Sequence, residues 1–278
     1  MPDLKNDGVM YRMPYGFGPT AGPRQGPDLK PFDWSQSPRR RSVAVSFLTD
    51  ASLLAELLPP GFRLAGEPAV TVELTELSEL EWLAGRGYSM LGVRFPACFQ
   101  GKTDDVTGSF LSVLWENLAD PILSGREELG YAKIWCELPP VRVFRNKVVC
   151  SASWLGHQFA HISVDDLTEA ELIAPAYPGL EALQSDGTLH YKYVPDTQHW
   201  GATALAHACL SPAGGGASVE RVRRGRGTVN FFPTTWEDMP TQFHIVTRLL
   251  QLPQLESRGA WVAELRGASD LSNQRKLA

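Results

Sequence analysis

Apolar and polar residues alternate with a period of two through Ser42–Leu48, the pattern of a strand that buries one face. Further segments rich in β-branched and aromatic residues predict strands at Val70–Leu74, Tyr88–Phe95, Ser109–Trp115, Ile134–Glu137 and Val141–Phe144. The same composition predicts strands at Val148–Trp154, His190–Val194, Ala217–Arg223 and Thr228–Phe232. Helical signals are fewer. Asp50 is placed to cap a short helix through Leu58, stopped by Pro59-Pro60-Gly61. Ser124-Gly125-Arg126-Glu127 has capping-box spacing and predicts a short helix through Leu129, and Asp166–Ile173 reads as a brief amphipathic helix. Thr241–Gln251 carries Phe243, Val246, Leu249 and Leu250 at helical spacing before Pro253. Gly and Pro punctuate the strands at short intervals, which favours antiparallel meanders or a barrel over βαβ units. The predicted class is α+β, predominantly antiparallel β.

Residues 1–38 are rich in Pro and Gly and lack apolar periodicity, so they read as an extended arm lying on the body or on a neighbouring subunit. Residues 39–278 are expected to form a single domain. Ala213-Gly214-Gly215-Gly216-Ala217 reads as a flexible loop, and no Lys-Ser/Thr follows it to make a phosphate cradle.

Composition narrows the partners. The chain has 278 residues, with 26 Lys and Arg against 31 Asp and Glu, giving a formal charge of −5. No global positive field recommends nucleic acid or an anionic membrane, no apolar run approaches a membrane helix, and Met1–Lys5 lacks a following signal-peptide core. A soluble, cytoplasmic protein is expected. Cys98, Cys136, Cys150 and Cys209 include no C-x-x-C pair, so neither a zinc site nor a disulfide framework is expected.

Of seven lysines, Lys133 stands apart, set in Leu129-Gly130-Tyr131-Ala132-Lys133-Ile134-Trp135-Cys136. An ammonium among apolar neighbours must pair, reach solvent or lose its charge. Context alone leaves both a solvent-reaching strand lysine and a desolvated amine open; the latter is the nucleophile that forms a Schiff base with a carbonyl. Tyr88, Tyr131 and Trp115 are candidates to line an apolar pocket, although strand aromatics commonly serve as core. His157 and His161 have H-x-x-x-H spacing, but they follow a strand pattern and lack the Glu of a metal helix, so no metal is expected. Arg39-Arg40-Arg41 and Arg221–Arg226 are basic clusters; alternation turns Arg40 inward and leaves Arg39 and Arg41 outward. The later cluster reads as a solvated hairpin, and no G-x-S-x-G elbow supports a serine triad.

Gly125-Arg126-Glu127-Glu128-Leu129-Gly130-Tyr131-Ala132-Lys133 resembles the signature of the acetoacetate decarboxylase family, in which Gly-Arg-Glu precedes the Schiff-base lysine by eight residues. Arg40 before a strand and Thr49-Asp50, Pro59-Pro60-Gly61-Phe62, Glu73, Glu116-Asn117, Tyr191–Pro195 and Gly227–Phe232 agree with it. The resemblance covers about residues 35–265 and implies a closed, cone-shaped β-barrel with a few flanking helices. It also implies that Lys133 forms the imine, that Glu73 lines the pocket, and that Arg40 meets the substrate carboxylate. Two departures stand out: Ile134 replaces a second lysine, and Met90 replaces an acid. Without a cationic neighbour, desolvation is the remaining route to an activated amine.

The resemblance implies a lyase that forms an imine between Lys133 and a keto acid and then releases carbon dioxide, with no cofactor. The departures leave open an aldolase-dehydratase or cyclase acting on an α-keto acid, or a barrel that binds without turnover. Catalytic candidates are Lys133 and Glu73; substrate-binding candidates are Arg40, Tyr88, Met90, Trp115 and Tyr131. Aromatics on the arm (Tyr11, Tyr15, Phe17, Phe32 and Trp34) and the family's closed oligomers predict a homo-oligomer.

Overall fold

The computed structural model describes residues 9–180, 184–214 and 216–278. The start of the arm and Gly215 of the glycine loop lie outside the described residues.

Alternating apolar positions build strands β1 (Arg39–Leu48), β2 (Phe62–Leu64), β3 (Ala69–Leu80), β4 (Arg86–Gln100) and β5 (Asp105–Glu116). Strand β6 (Lys133–Trp135) follows the signature, and then come β7 (Arg142–Phe144), β8 (Lys147–Trp154), β9 (His157–Glu169) and β10 (Gly187–Pro195). The chain ends through β11 (Thr203–Pro212), β12 (Ser218–Phe231), β13 (Glu256–Arg266) and β14 (Arg275–Lys276). Helices α1 (Ala51–Ala55), α2 (Ala119–Ser124) and α3 (Phe243–Leu250) flank them. Asp50 caps α1 as expected, its carboxylate accepting from the Leu53 N–H at 2.9 Å.

Among the described residues the strands form one 14-stranded sheet in the order β14-β11-β10-β5-β4-β3-β1-β13-β12-β9-β8-β7, with β2 on β4 and β6 on β5. Pairing is mostly antiparallel; β10 and β6 each pair with β5 in parallel. The expected closed barrel is only partly realised, because this path does not join its own ends through hydrogen bonds. Its terminal strands β7 and β14 are short and exposed, as strand edges that avoid further pairing commonly are. An isolated bridge between Glu137 and Ser153 links the segment after β6 to β8. The main core is an aliphatic and aromatic cluster on one face of the sheet, including Val43, Leu74, Leu91, Trp115, Phe159 and Val246.

One helical expectation fails, and a second helix reaches Leu129 as expected but starts elsewhere, for identifiable reasons. Asp166–Glu169 continues β9, because Glu169 and Thr168 pair with Arg223 and Arg224 of β12. Ion pairs from Glu169 to Arg221 and from Asp166 to Arg226 fix this pairing, which local amphipathicity does not report. The arginine cluster is accordingly part of one continuous strand rather than a solvated hairpin between two. Ser124 is not an N-cap: it ends α2, and its hydroxyl donates back to the Asp120 carbonyl at 3.0 Å.

The arm folds onto its own body. Arg12 and Arg24 both pair with Glu128, the Ala268 N–H donates to the Trp34 carbonyl at 2.9 Å, and the Ser37 hydroxyl donates to the Glu79 carbonyl at 2.8 Å. Three of the four cysteines are buried, and all are free.

Candidate active site

Register brings the site together. Across the sheet, Glu73 stands opposite Gly92, Gly92 opposite Leu114, and Leu114 opposite Lys133, which puts these four residues in one row on one face. The next row on that face is Thr75, Met90 and Glu116, and Leu77 and Tyr88 follow. Side chains alternate between faces, so Trp115 turns away from both rows. The expectation that Trp115 lines the pocket is therefore corrected. It is fully buried in the core, donates to Gln242 Oε1 at 2.7 Å and packs on Phe159.

A cavity of about 540 Å³ opens on the other face. Lys133, Glu73, Arg40, Tyr88, Met90 and Tyr131 all line it. Segments from the arm (Pro23, Arg24, Trp34, Pro38) and from residues 268–271 complete its walls.

The signature is legible as local mechanics. Helix α2 runs into one wider turn, Gly125–Leu129, which ends at Gly130 in the left-handed conformation (φ 81°). The chain then doubles back: the Tyr131 N–H donates to the Gly125 carbonyl at 3.0 Å, and Arg126 donates to the Lys133 carbonyl at 2.8 Å. Gly125 thus lies against the lysine. A Cβ there would stand 2.7 Å from Lys133 Nζ and closer still to its methylenes, so only glycine leaves the side chain its path.

Lys133 is 8% exposed. Its Nζ donates to the Pro121 carbonyl at 3.0 Å and lies 2.9 Å from Glu116 Oε1. Glu116 is 0% exposed, and its second oxygen has no hydrogen-bond partner. Burial pushes the Glu116 carboxyl above the usual carboxylate range, with the Lys133 ammonium working against it. Such a pair can pass a proton between its members.

A second polar cluster forms the side wall. Tyr177 donates to Glu73 Oε2 at 2.8 Å, and Thr75 donates to Glu73 Oε1 at 3.2 Å. Arg94 lies 3.7 Å from Glu73 and 4.6 Å over the Tyr177 ring. Burial opposes the charge of Arg94, but Tyr177 and Glu73 outweigh it and hold its pKa above the ordinary arginine value. The Nε atoms of Arg40 and Arg94 are buried without hydrogen-bond partners. Arg39 and Arg41 instead pair with Glu79, Glu220, Glu76 and Glu264 on the outside.

Tyr131 stacks on His190 at 4.1 Å, and its hydroxyl shares a 2.5 Å hydrogen bond with Ser211. Burial raises the phenols of Tyr88 and Tyr131 above their ordinary value. His157 faces Thr234 and Asp238, away from this cavity. Sequence reasoning missed Arg94 and the role of Glu116. Arg94 shares the phase of Tyr88, Met90 and Gly92 in β4, and Glu116 shares that of Leu114 in β5.

The comparisons agree with this architecture. No curated protein matches the chain significantly. A structure described as a study of acetoacetate decarboxylase superposes with TM-score 0.64 at 15% identity, covering 98% of this chain and 97% of the other. Acetoacetate decarboxylase from Legionella pneumophila gives TM-score 0.61 at 16% identity, over 90% and 91%. The enduracididine biosynthesis enzyme MppR, complexed with the condensation product of pyruvate and imidazole 4-carboxaldehyde, gives 0.59 at 18%, over 84% and 86%. The family model for acetoacetate decarboxylase matches residues 12–253, beginning well inside the arm. By the extent of that match, the chain belongs to the acetoacetate decarboxylase family.

Proposed function

We propose that the protein is a lyase that forms an imine between Lys133 and a keto acid and then breaks the bond to the substrate carboxylate. One observation carries this reading: the amine of Lys133 is buried at the cavity wall against a buried carboxylate, Glu116, with the guanidinium groups of Arg40 and Arg94 lining the same cavity. Glu116 takes a proton from the ammonium, and the free amine attacks the ketone carbon. The extra proton on nitrogen passes to the alkoxide to give the carbinolamine, and the same carboxyl then protonates its hydroxyl, which leaves as water. With a β-keto acid, the protonated imine then accepts the electron pair of the bond from the neighbouring carbon to the carboxylate. Carbon dioxide leaves, the enamine is protonated at carbon, and water releases the ketone. Arg94 and Arg40 hold the carboxylate before it departs.

Aldol addition with dehydration is the second reading. It is favoured by Glu116, a proton acceptor beside the imine, and by the keto-acid-derived ligand of the similarly folded MppR. Borohydride treatment with acetoacetate or with pyruvate tests the imine: a mass gain on Lys133 supports enzyme chemistry, and none supports a binding protein. Carbon dioxide release from acetoacetate, set beside product formation from pyruvate plus an aldehyde, separates the two lyase readings.

A further inference from the structure

We infer that the substrate carries one carboxylate and a bulky apolar group, aryl or long alkyl, on the ketone side remote from it; this rests on the imine reading above. Charge sets the number of acidic groups. Among the charged residues lining the cavity, Glu128 pairs with Arg12 and Arg24, Asp270 lies near Arg24 and offsets the second of those charges, and Lys133 has Glu116 behind it. That leaves Arg40 and Arg94 facing a single acid, Glu73. One substrate carboxylate balances them; a second would bring an anion with no cation to meet it.

Size and polarity set the rest. The cavity's 540 Å³ has room for about 18 groups of water size at ~30 Å³ each, and it falls within the range that holds drug-sized ligands. Acetoacetate would occupy the row of Glu73 and Lys133 alone. Beyond that row apolar side chains line the cavity beside polar ones: Thr75 and Glu116 share the row of Met90, and Arg40 stands opposite Leu77. Met90 stands in the next row, and Leu77 and Tyr88 stand one row further, roughly 13 Å along the strands from the lysine's row at ~3.3 Å per residue. Trp82 packs edge-on against Tyr88 with ring centroids 6.4 Å apart, and Trp34 of the arm lines the same cavity. Met90 thus presents an apolar side chain between the amine and this aromatic wall. An apolar tail covers that wall and excludes water from the imine.

The test compares acetoacetate with 3-oxo-5-phenylpentanoate, the same acid extended by a benzyl group, on the full chain. Carbon dioxide release and the borohydride mass gain on Lys133 are both read. The expected result is a kcat/KM about a hundredfold higher for the phenyl acid, since a hydrophobic pocket discriminates by about 10–200-fold per methylene. Trp82→Ala should lower the phenyl acid's kcat/KM at least tenfold more than acetoacetate's, with unchanged circular dichroism establishing the fold. Equal or greater efficiency with acetoacetate, while Lys133 is still labelled, overturns the tail and leaves the imine standing. Absence of a Lys133 adduct with either acid overturns both.

Discussion

Lys133 Nζ and Glu116 Oε1 lie 2.9 Å apart, and the carboxylate is entirely withdrawn from solvent. A buried charge of either sign is costly alone, so each group is the condition for the other's presence. The sequence offered only desolvation as a route to an activated amine; the carboxylate beside the lysine is visible only in the fold. Burial raises Glu116, so this carboxyl can hold a proton and hand it on.

Lys133→Met is expected to abolish the borohydride adduct and lower turnover by about a thousandfold or more, since no other lysine lines the cavity among the described residues. Peptide mass mapping of the trapped protein checks this. Glu116→Gln keeps the shape and a hydrogen-bonding oxygen but cannot carry the proton. Imine formation should slow by about 10²–10⁴-fold, the usual worth of general acid–base catalysis, and stopped-flow trapping measures it. A rate within twofold of the parent would remove Glu116 from the mechanism.

Gly125→Ala places a methyl against the lysine's flexible end rather than against backbone, so the protein should still fold. The displaced amine should lose about a hundredfold in adduct formation, as misplacements near 1 Å commonly do. Retained melting temperature with lost trapping is the diagnostic combination.

Arg94→Met removes a charge-assisted contact worth about 1.5–3 kcal/mol, so KM for the keto acid should rise about 10–100-fold with a smaller change in kcat. Steady-state kinetics across substrate concentration separates the two constants. An unchanged KM would leave the carboxylate to Arg40 alone.

Burial depresses His190 to about 4 from 6.5. Between those values the unfolded chain binds more protons than the folded one, so stability rises with pH across that window and is lost as pH falls through it. The difference amounts to about 3 kcal/mol at ~1.4 kcal/mol per pH unit. Urea titrations at pH 4.5 and 7 should show it, and His190→Gln should flatten it. Because His190 stacks under Tyr131, acid should also disturb the cavity wall before global unfolding.

The arm leaves Tyr11, Met13, Tyr15 and Phe17 largely exposed, with Phe17 at 87%. Light scattering at micromolar concentration is expected to report a homo-oligomer, above the 30.6 kDa of one chain. Phe17→Ser should shift the population toward the monomer; a monomeric parent protein would refute this assembly.

Local chemistry along the chain determined most strands, the Asp50 cap, helix α3 and the lysine of the signature, because alternation and capping act between near neighbours. It also determined the phase of Arg40, which register confirms by setting it opposite Leu77 on the cavity side. Trp115 shows the limit. Its type suits a pocket and a core equally, and only the pairing of β5 with β4 and β6 fixed which face it takes. Asp166–Glu169 shows the limit again: its residues suit a helix, but partners 52 and 60 residues away in β12 offer cross-strand ion pairs that a helix would forgo. Glu116 and Arg94 were in phase with recognised positions, yet their meaning lay in what stands opposite them. Distance in sequence adds only a slowly growing loop-closure cost; the carboxylate meets the lysine because two strands run in parallel at one register, and that is a decision of the tertiary structure.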